Sequence, residues 1–213
     1  MPQSSSTETL FIDGPVGRLE SILEQPVATA PIGNVVVCHP HPVHGGTMHN
    51  KVAHTLARAF VRMGFRALRF NFRGTEKSEG EHDNGAGELD DTLAAIDYMR
   101  GLNDSLPLWV AGFSFGAAMA VKAAVATRLD GLVSVAPAIS RFASGLERQP
   151  DCPWLIVQGD LDELVDVEET VEWVDGLLPG PELLIIPGGE HFFHGRLLEL
   201  REAVTSFVED ALA

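Results

Sequence analysis

The strongest constraint on this chain is a repeating order of segments. Short apolar runs, Val35–Cys38, Ala67–Phe70, Leu108–Ala111, Leu132–Val135, Leu155–Val157 and Leu183–Ile186, alternate with longer amphipathic stretches. The runs are bounded by Gly and Pro and mostly lack polar alternation, the pattern of parallel strands covered on both faces. Most of the stretches between and after them carry apolar residues at helical spacing. These are Val52, Leu56, Phe60 and Met63; Leu89, Leu93 and Ile96; Val167, Val171 and Val174; and Leu197, Leu200, Val204 and Phe207. Strand–helix alternation of this kind forces parallel neighbours and right-handed crossovers, hence a doubly wound, mostly parallel α/β sheet. Ahead of it, "TLFI" and "RLESIL" flank "DGPVG" and read as an antiparallel hairpin extending one sheet edge. No internal repeat breaks the order, and the length fits one domain, residues 1–213.

Charge narrows the partners. With 15 basic and 30 acidic residues the formal charge is -15, which repels phosphates and argues against nucleic acid or an anionic membrane. The excess acid itself reads as a solubility feature. Cys38 and Cys152 are too few for a disulfide scaffold and read as small core thiols in a reducing compartment. "MPQSSSTETLF" has neither the basic start nor the apolar stretch of a secretory signal, and no apolar run approaches the ~20 residues of a membrane span. The expectation is a soluble cytoplasmic protein.

In an open α/β sheet, ligands bind beyond the carboxyl ends of the strands. After Leu108–Ala111 comes "GFSFGAAMAVKAAVA", a G-x-S-x-G arrangement with Ser114 between Gly112 and Gly116. A serine on a sharp strand-to-helix turn needs flanking glycines, because side chains there would collide across the turn. The bare pattern is short, so its context decides: an apolar strand precedes it and a helix follows. A serine hydroxyl attacks only when a base takes its proton and a carboxylate orients that base. Just past the next strands lie Asp160, Asp162 and Asp166, then His191 and His194, in the chain order Ser, acid, His of this kind of site.

These features together resemble the α/β-hydrolase superfamily, in particular its small lidless members related to dienelactone hydrolases and short-chain esterases. The likeness runs from "VVVCHPHPVHGGTMHN" through "RFNFRGTEKSEG", "GFSFG" and "GDLDELV" to "GGEHFF". It implies the α/β-hydrolase fold without a lid domain. Gly159, Asp162 and Val165 match the family's G-x-x-D-x-x-V, which selects Asp162; Gly188, His191 and Phe193 match G-x-x-H-x-F, which selects His191. Asp160 then reads as a turn residue of its own loop, Asp166 as a helix cap, and His194 as a surface residue near the last helix. Dienelactone hydrolases use a cysteine nucleophile where this chain has serine, so their lactone reaction does not transfer. Arg73 and Gly74 match a supporting loop of the family and are not assigned catalysis.

The stretch from His39 to His49 carries His39, His41, His44 and His49 and raises the question of a metal. Against it, Pro40 and Pro42 stiffen the His-x-His pair, no carboxylate occurs between residues 25 and 75, and serine chemistry needs no metal. In the superfamily this loop supplies one oxyanion donor, the other being the N–H after the nucleophile, here Phe115. Prolines have no N–H, which leaves His41 as the donor of the loop. Gly45 and Gly46 read as a turn, Thr47 as the cap of the next helix, His49 as partly buried on that helix's apolar face, and His54 as solvated.

The implied activity is an acyl hydrolase, most simply a carboxylesterase on small accessible esters, with no cofactor and no metal. The same residues would serve a thioesterase or a peptidase; a noncatalytic or metal-binding α/β protein is the remaining alternative. Pro137 to Pro153 leaves room for a loop and no lid, with Ile139 and Phe142 as candidate pocket walls.

Overall fold

The computed structural model describes residues 5–143 and 148–213. The hairpin is formed by β1 (Ser5–Gly14) and β2 (Gly17–Pro26), with Gly14 opposite Gly17 across the turn. Then follow β3 (Asn34–Cys38), α1 (Lys51–Met63), β4 (Arg66–Phe70), α2 (Ala86–Leu102), β5 (Leu108–Phe113) and α3 (Phe115–Ala126). The chain continues through β6 (Gly131–Val135), the single turn α4 (Ile139–Phe142), β7 (Trp154–Gly159), α5 (Val167–Asp175), β8 (Glu182–Ile186) and α6 (Leu197–Leu212). All strands share one sheet in the order β1-β2-β4-β3-β5-β6-β7-β8. The hairpin is antiparallel within itself and to β4, and the remaining neighbours are parallel.

Every residue of β3, β5, β6 and β7 is buried, as continuous apolar runs require. The expectation of two covered faces fails for β8. It lies at the sheet edge, and its residues alternate between exposed and half-buried until Ile186.

The helices divide between the faces. α1 and α6 lay Val52, Leu56 and Phe60, with Leu200, Val204 and Val208, on one face. α2 and α3 cover the other with Ala95, Ile96, Met99 and the small residues of α3. Each large apolar side chain so buried contributes about 1.5–3 kcal/mol. The run of Gly and Ala in α3 lets that helix sit close against the sheet's middle strands, with Phe115–Val121 all buried.

Helix starts differ from expectation in one place. The side chain of Asn50, not Thr47, caps α1 by accepting from the N–H groups of Val52 and Ala53. Thr47 instead accepts from the N–H of His49 within the turn. His49 therefore precedes the helix and is exposed, while Met48 occupies the buried position. Asp166 caps α5 as expected, and His194 is exposed in the turn before α6, beside Glu190. Cys38 is buried and its thiol is pushed up to about 12 by desolvation; Cys152 is half-buried and raised to about 11 for the same reason. Between Pro137 and Pro153 residues 144–147 fall outside the described residues, and the part before them includes α4. Among the described residues no helix is long and apolar enough to cross a membrane.

From β3 the chain moves to β4 on one side and then returns to β5 on the other. The crevice outside the carboxyl ends of β3 and β5 is thus the topological switch point.

Candidate active site

β5 ends in the sharp turn at Ser114, whose φ of 55° and ψ of -116° are outside the ordinary regions for a residue with a side chain. The turn is closed from both sides. Ser114 N–H donates to the Val135 carbonyl at 2.9 Å, and the Ser114 carbonyl accepts from Ala117 and Ala118 at 3.1 Å. A Cβ on Gly112 would stand 2.3 Å from the Gly116 carbonyl oxygen, which is the expected collision across the turn. Gly116 is needed for a different reason: a Cβ there would lie 2.4 Å from the carbonyl oxygens of Cys38 and His39. The start of α3 is pressed against the end of β3.

The structure brings Ser114, His191 and Asp162 into one line. His191 Nε2 is 3.1 Å from Ser114 Oγ, and Nδ1 is 3.0 and 2.9 Å from the two oxygens of Asp162. Asp162 also accepts from Leu164 N–H (2.9 Å), Val165 N–H (2.8 Å) and Gln158 Nε2 (3.0 Å). Burial would raise this carboxyl, but the hydrogen bonds from His191 and the two N–H groups, with the charge of His191, overcome it and hold Asp162 below its ordinary value. An ionised Asp162 keeps the proton on Nδ1 and leaves the Nε2 lone pair facing the serine hydroxyl. The imidazole is buried and packs on Phe113 (4.9 Å between centroids) and Phe192 (5.1 Å).

The residues left open by the motif are separated by this geometry. Asp160 accepts from Gly188 N–H at 2.6 Å, so it ties its loop to the histidine loop and does not close its own turn. Asp166 and His194 lie outside the line. The motif glycines also have physical reasons: a Cβ on Gly159 would be 2.1 Å from the Gly189 carbonyl oxygen, and Gly188 has φ of 70°. Gln158, which the sequence did not single out, steadies both Asp162 and the Val165 carbonyl through Nε2.

Above Ser114 the loop after β3 is held on several sides. The His39 ring is fully buried; its Nε2 accepts from Phe72 N–H at 3.0 Å, so Nδ1 carries the proton and donates to the Pro40 carbonyl at 2.6 Å. Burial pushes His39 down to about 3. The His41 carbonyl accepts from His44 and Gly46, and its ring Nδ1 accepts from Val43 N–H. Burial, and then the neighbouring His82 and His44, keep His41 below its ordinary value and neutral. The N–H groups of His41 and Phe115 have no backbone acceptor among the described residues. His44 and His49 are exposed, and among the described residues no three His, Cys, Asp or Glu side chains are grouped to hold a metal. Arg73 is turned away from the serine: it is buried in a fork with Asp91, Nη2 to Oδ1 at 2.7 Å, and fastens the loop after β4 to α2.

The family model for serine aminopeptidase, S33 (Hydrolase_4) matches residues 31–146, a span that holds the loop after β3 and the Ser114 turn. The chain belongs to that family. This α/β hydrolase is 30% identical over 210 residues to an uncharacterised protein of Rickettsia prowazekii, covering 93% of this chain and 87% of that one. Among solved structures, an alpha-beta serine hydrolase homologue from Coxiella burnetii is 43% identical with a TM-score of 0.88, over 93% of this chain and 96% of that one. XC6422 from Xanthomonas campestris, a serine hydrolase without a lid, is 38% identical with a TM-score of 0.91, over 96% and 94%.

In this hydrolase Ser114 and His191 open onto a pocket of about 430 Å³. Its walls include His41, Phe115, Phe142, Leu164, Val165 and Phe192, with Arg141 and His44 also lining it. Phe142 is a wall as expected; Ile139 is not, being buried and bordering a separate cavity of about 190 Å³.

Proposed function

We propose that this α/β hydrolase cleaves a carboxylic ester by way of an acyl-enzyme on Ser114. Ser114 Oγ attacks the acyl carbonyl while His191 Nε2 takes its proton, and Asp162 holds the resulting imidazolium. The developing oxyanion receives the N–H groups of His41 and Phe115, each such donor being worth about 3 kcal/mol. His191 then gives its proton to the leaving alcohol. In the second half it takes a proton from the water that attacks the acyl carbon, and returns it to Ser114 Oγ as the acyl–oxygen bond breaks. The observation that carries this reading is the unbroken line from Ser114 Oγ through His191 to an Asp162 with three further donors and low basicity.

The same atoms would open a thioester or a peptide bond. An aminopeptidase must also receive an α-ammonium group, and none of the described residues lining the pocket is Asp or Glu. This favours the ester over the peptide bond.

The test is labelling by a neutral fluorophosphonate together with turnover of short p-nitrophenyl esters, with and without a chelator. Ser114→Ala is expected to lose labelling and about 10^4-fold or more of kcat, and the chelator to change nothing. Wild-type protein that neither labels nor turns over would overturn the proposal. Chelator-sensitive turnover in Ser114→Ala would move the chemistry to a metal.

A further inference from the structure

We infer that the ester taken by this pocket carries a second, anionic group, received at the pocket mouth by Arg141. The inference rests on the hydrolase reading above and adds the chemical class of its substrate.

The first observation is one of charge. The chain has twice as many acidic as basic residues, 30 against 15, yet no described residue lining the pocket is acidic. The ionisable groups on its walls are Arg141 and the imidazoles of His41, His44 and His191. The carboxylate of Asp162 lies behind His191 with no exposed side chain. A molecule of net charge -15 repels anions in general, so an arginine with no acidic neighbour among the described residues of the Ser114 pocket draws an anion to that pocket in particular.

The second is the placement of Arg141. It belongs to α4, whose next residue, Phe142, stands edge-on to Phe115 at 4.8 Å and packs on His41 at 5.3 Å. The turn that presents the guanidinium is thus anchored to the two residues whose N–H groups face the oxyanion. Arg18, Arg58, Arg69, Arg73, Arg100 and Arg196 are each engaged by a carboxylate. Arg141 is exposed and, like Arg62, Arg66, Arg128, Arg148 and Arg201, has no such partner among the described residues, but of these it is the one that lines the pocket of Ser114. Its planar fork suits a carboxylate, which it binds through two parallel hydrogen bonds. Phe142, Leu164 and Phe192 would hold the carbon framework between that anion and the scissile carbonyl.

The anion can sit in the acyl half or in the alcohol half, and two substrate pairs separate these. Mono-p-nitrophenyl glutarate is compared with p-nitrophenyl pentanoate, and 4-acetoxybenzoate with phenyl acetate, at low ionic strength. One anionic ester is expected to exceed its neutral partner about tenfold in kcat/KM, and Arg141→Gln to bring that ratio close to 1. Ratios near 1 in the wild type, or a ratio unmoved by Arg141→Gln, would overturn the inference. A binding arm reads the anion site without turnover: Ser114→Ala is titrated with mono-p-nitrophenyl glutarate and with 4-acetoxybenzoate, with and without Arg141→Gln. About tenfold weaker binding of one of the two in the double variant is expected, and equal binding of both overturns the inference. Activity on neither pair, with binding still dependent on Arg141, would leave the anion site standing and sink the esterase reading.

Discussion

His39 is the histidine of its loop that never meets solvent, and it does the most to shape that loop. In a trans peptide the carbonyl of one residue and the N–H of the next point in opposite directions. By donating to the Pro40 carbonyl, His39 fixes the orientation of the Pro40–His41 peptide and with it that of the His41 N–H. Its ring can do this only while neutral, because Nε2 must accept from Phe72. With a folded value of about 3 against an ordinary 6.5, the unfolded chain binds a proton between these limits that the folded chain refuses. Stability is therefore whole above about 6.5 and is lost as pH falls toward 3, by at most about 1.4 kcal/mol per pH unit from this group. Urea midpoints between pH 7 and 4 should show that slope in the wild type and a shallower one in His39→Gln. Equal slopes would mean that His39 is not buried neutral. None of this was legible locally, since Phe72 is 33 residues away. Ser114 was legible from the glycines that flank it, whereas Asp162 and His191 were separated from their neighbours only by resemblance to the family's motifs. Gln158 lacks any such mark and was missed.

At the scale of elements, the turn from β5 into α3 shows what a glycine motif can and cannot tell. The sequence expects Gly112 and Gly116 to relieve one and the same crowding, and only Gly112 does so. Gly116 answers to β3, a strand more than 70 residues earlier, whose end the start of α3 closely approaches. Gly116→Ala should therefore cost about 1–3 kcal/mol and also most of the ester turnover proposed above, because backbone must move both beside Ser114 and at the end of β3. Gly195 is the control: φ is 74° but nothing lies within 4 Å of an added Cβ. Gly195→Ala should cost about 1 kcal/mol for the left-handed conformation and keep the rate. Denaturant melts and p-nitrophenyl butyrate assays on both variants check this, and equal losses would remove the close-approach argument. The start of α1 was misjudged for a similar reason. Thr47 and Asn50 are both good caps, and only the path of the loop, fixed in part by Asn71 accepting from Met48 N–H, decides between them.

For the whole molecule, the alternation of runs and amphipathic stretches was sufficient for the fold class, because each run must be covered by the helices on either side of it. Strand order is not a local property. Nothing in Leu183–Ile186 tells it from a central strand, and only the sheet places β8 at the rim with Leu184 exposed. The same order puts β5 in the interior and its end at the switch point, so Ser114 follows an interior strand, while the walls of its pocket come from loops, the start of α3 and the single turn α4. Those walls stand open: Leu164 is 49% and Phe192 38% exposed at the mouth, and the described residues carry no lid domain over them. A mouth left open by the described residues offers no closed form for a lipid–water interface to open. Initial rates with p-nitrophenyl butyrate should follow one hyperbola through the solubility limit, with any plateau set by free ester. A sharp rise once droplets form would show instead that part of the chain closes over Ser114 in solution and is displaced at the interface, contrary to the open mouth seen here.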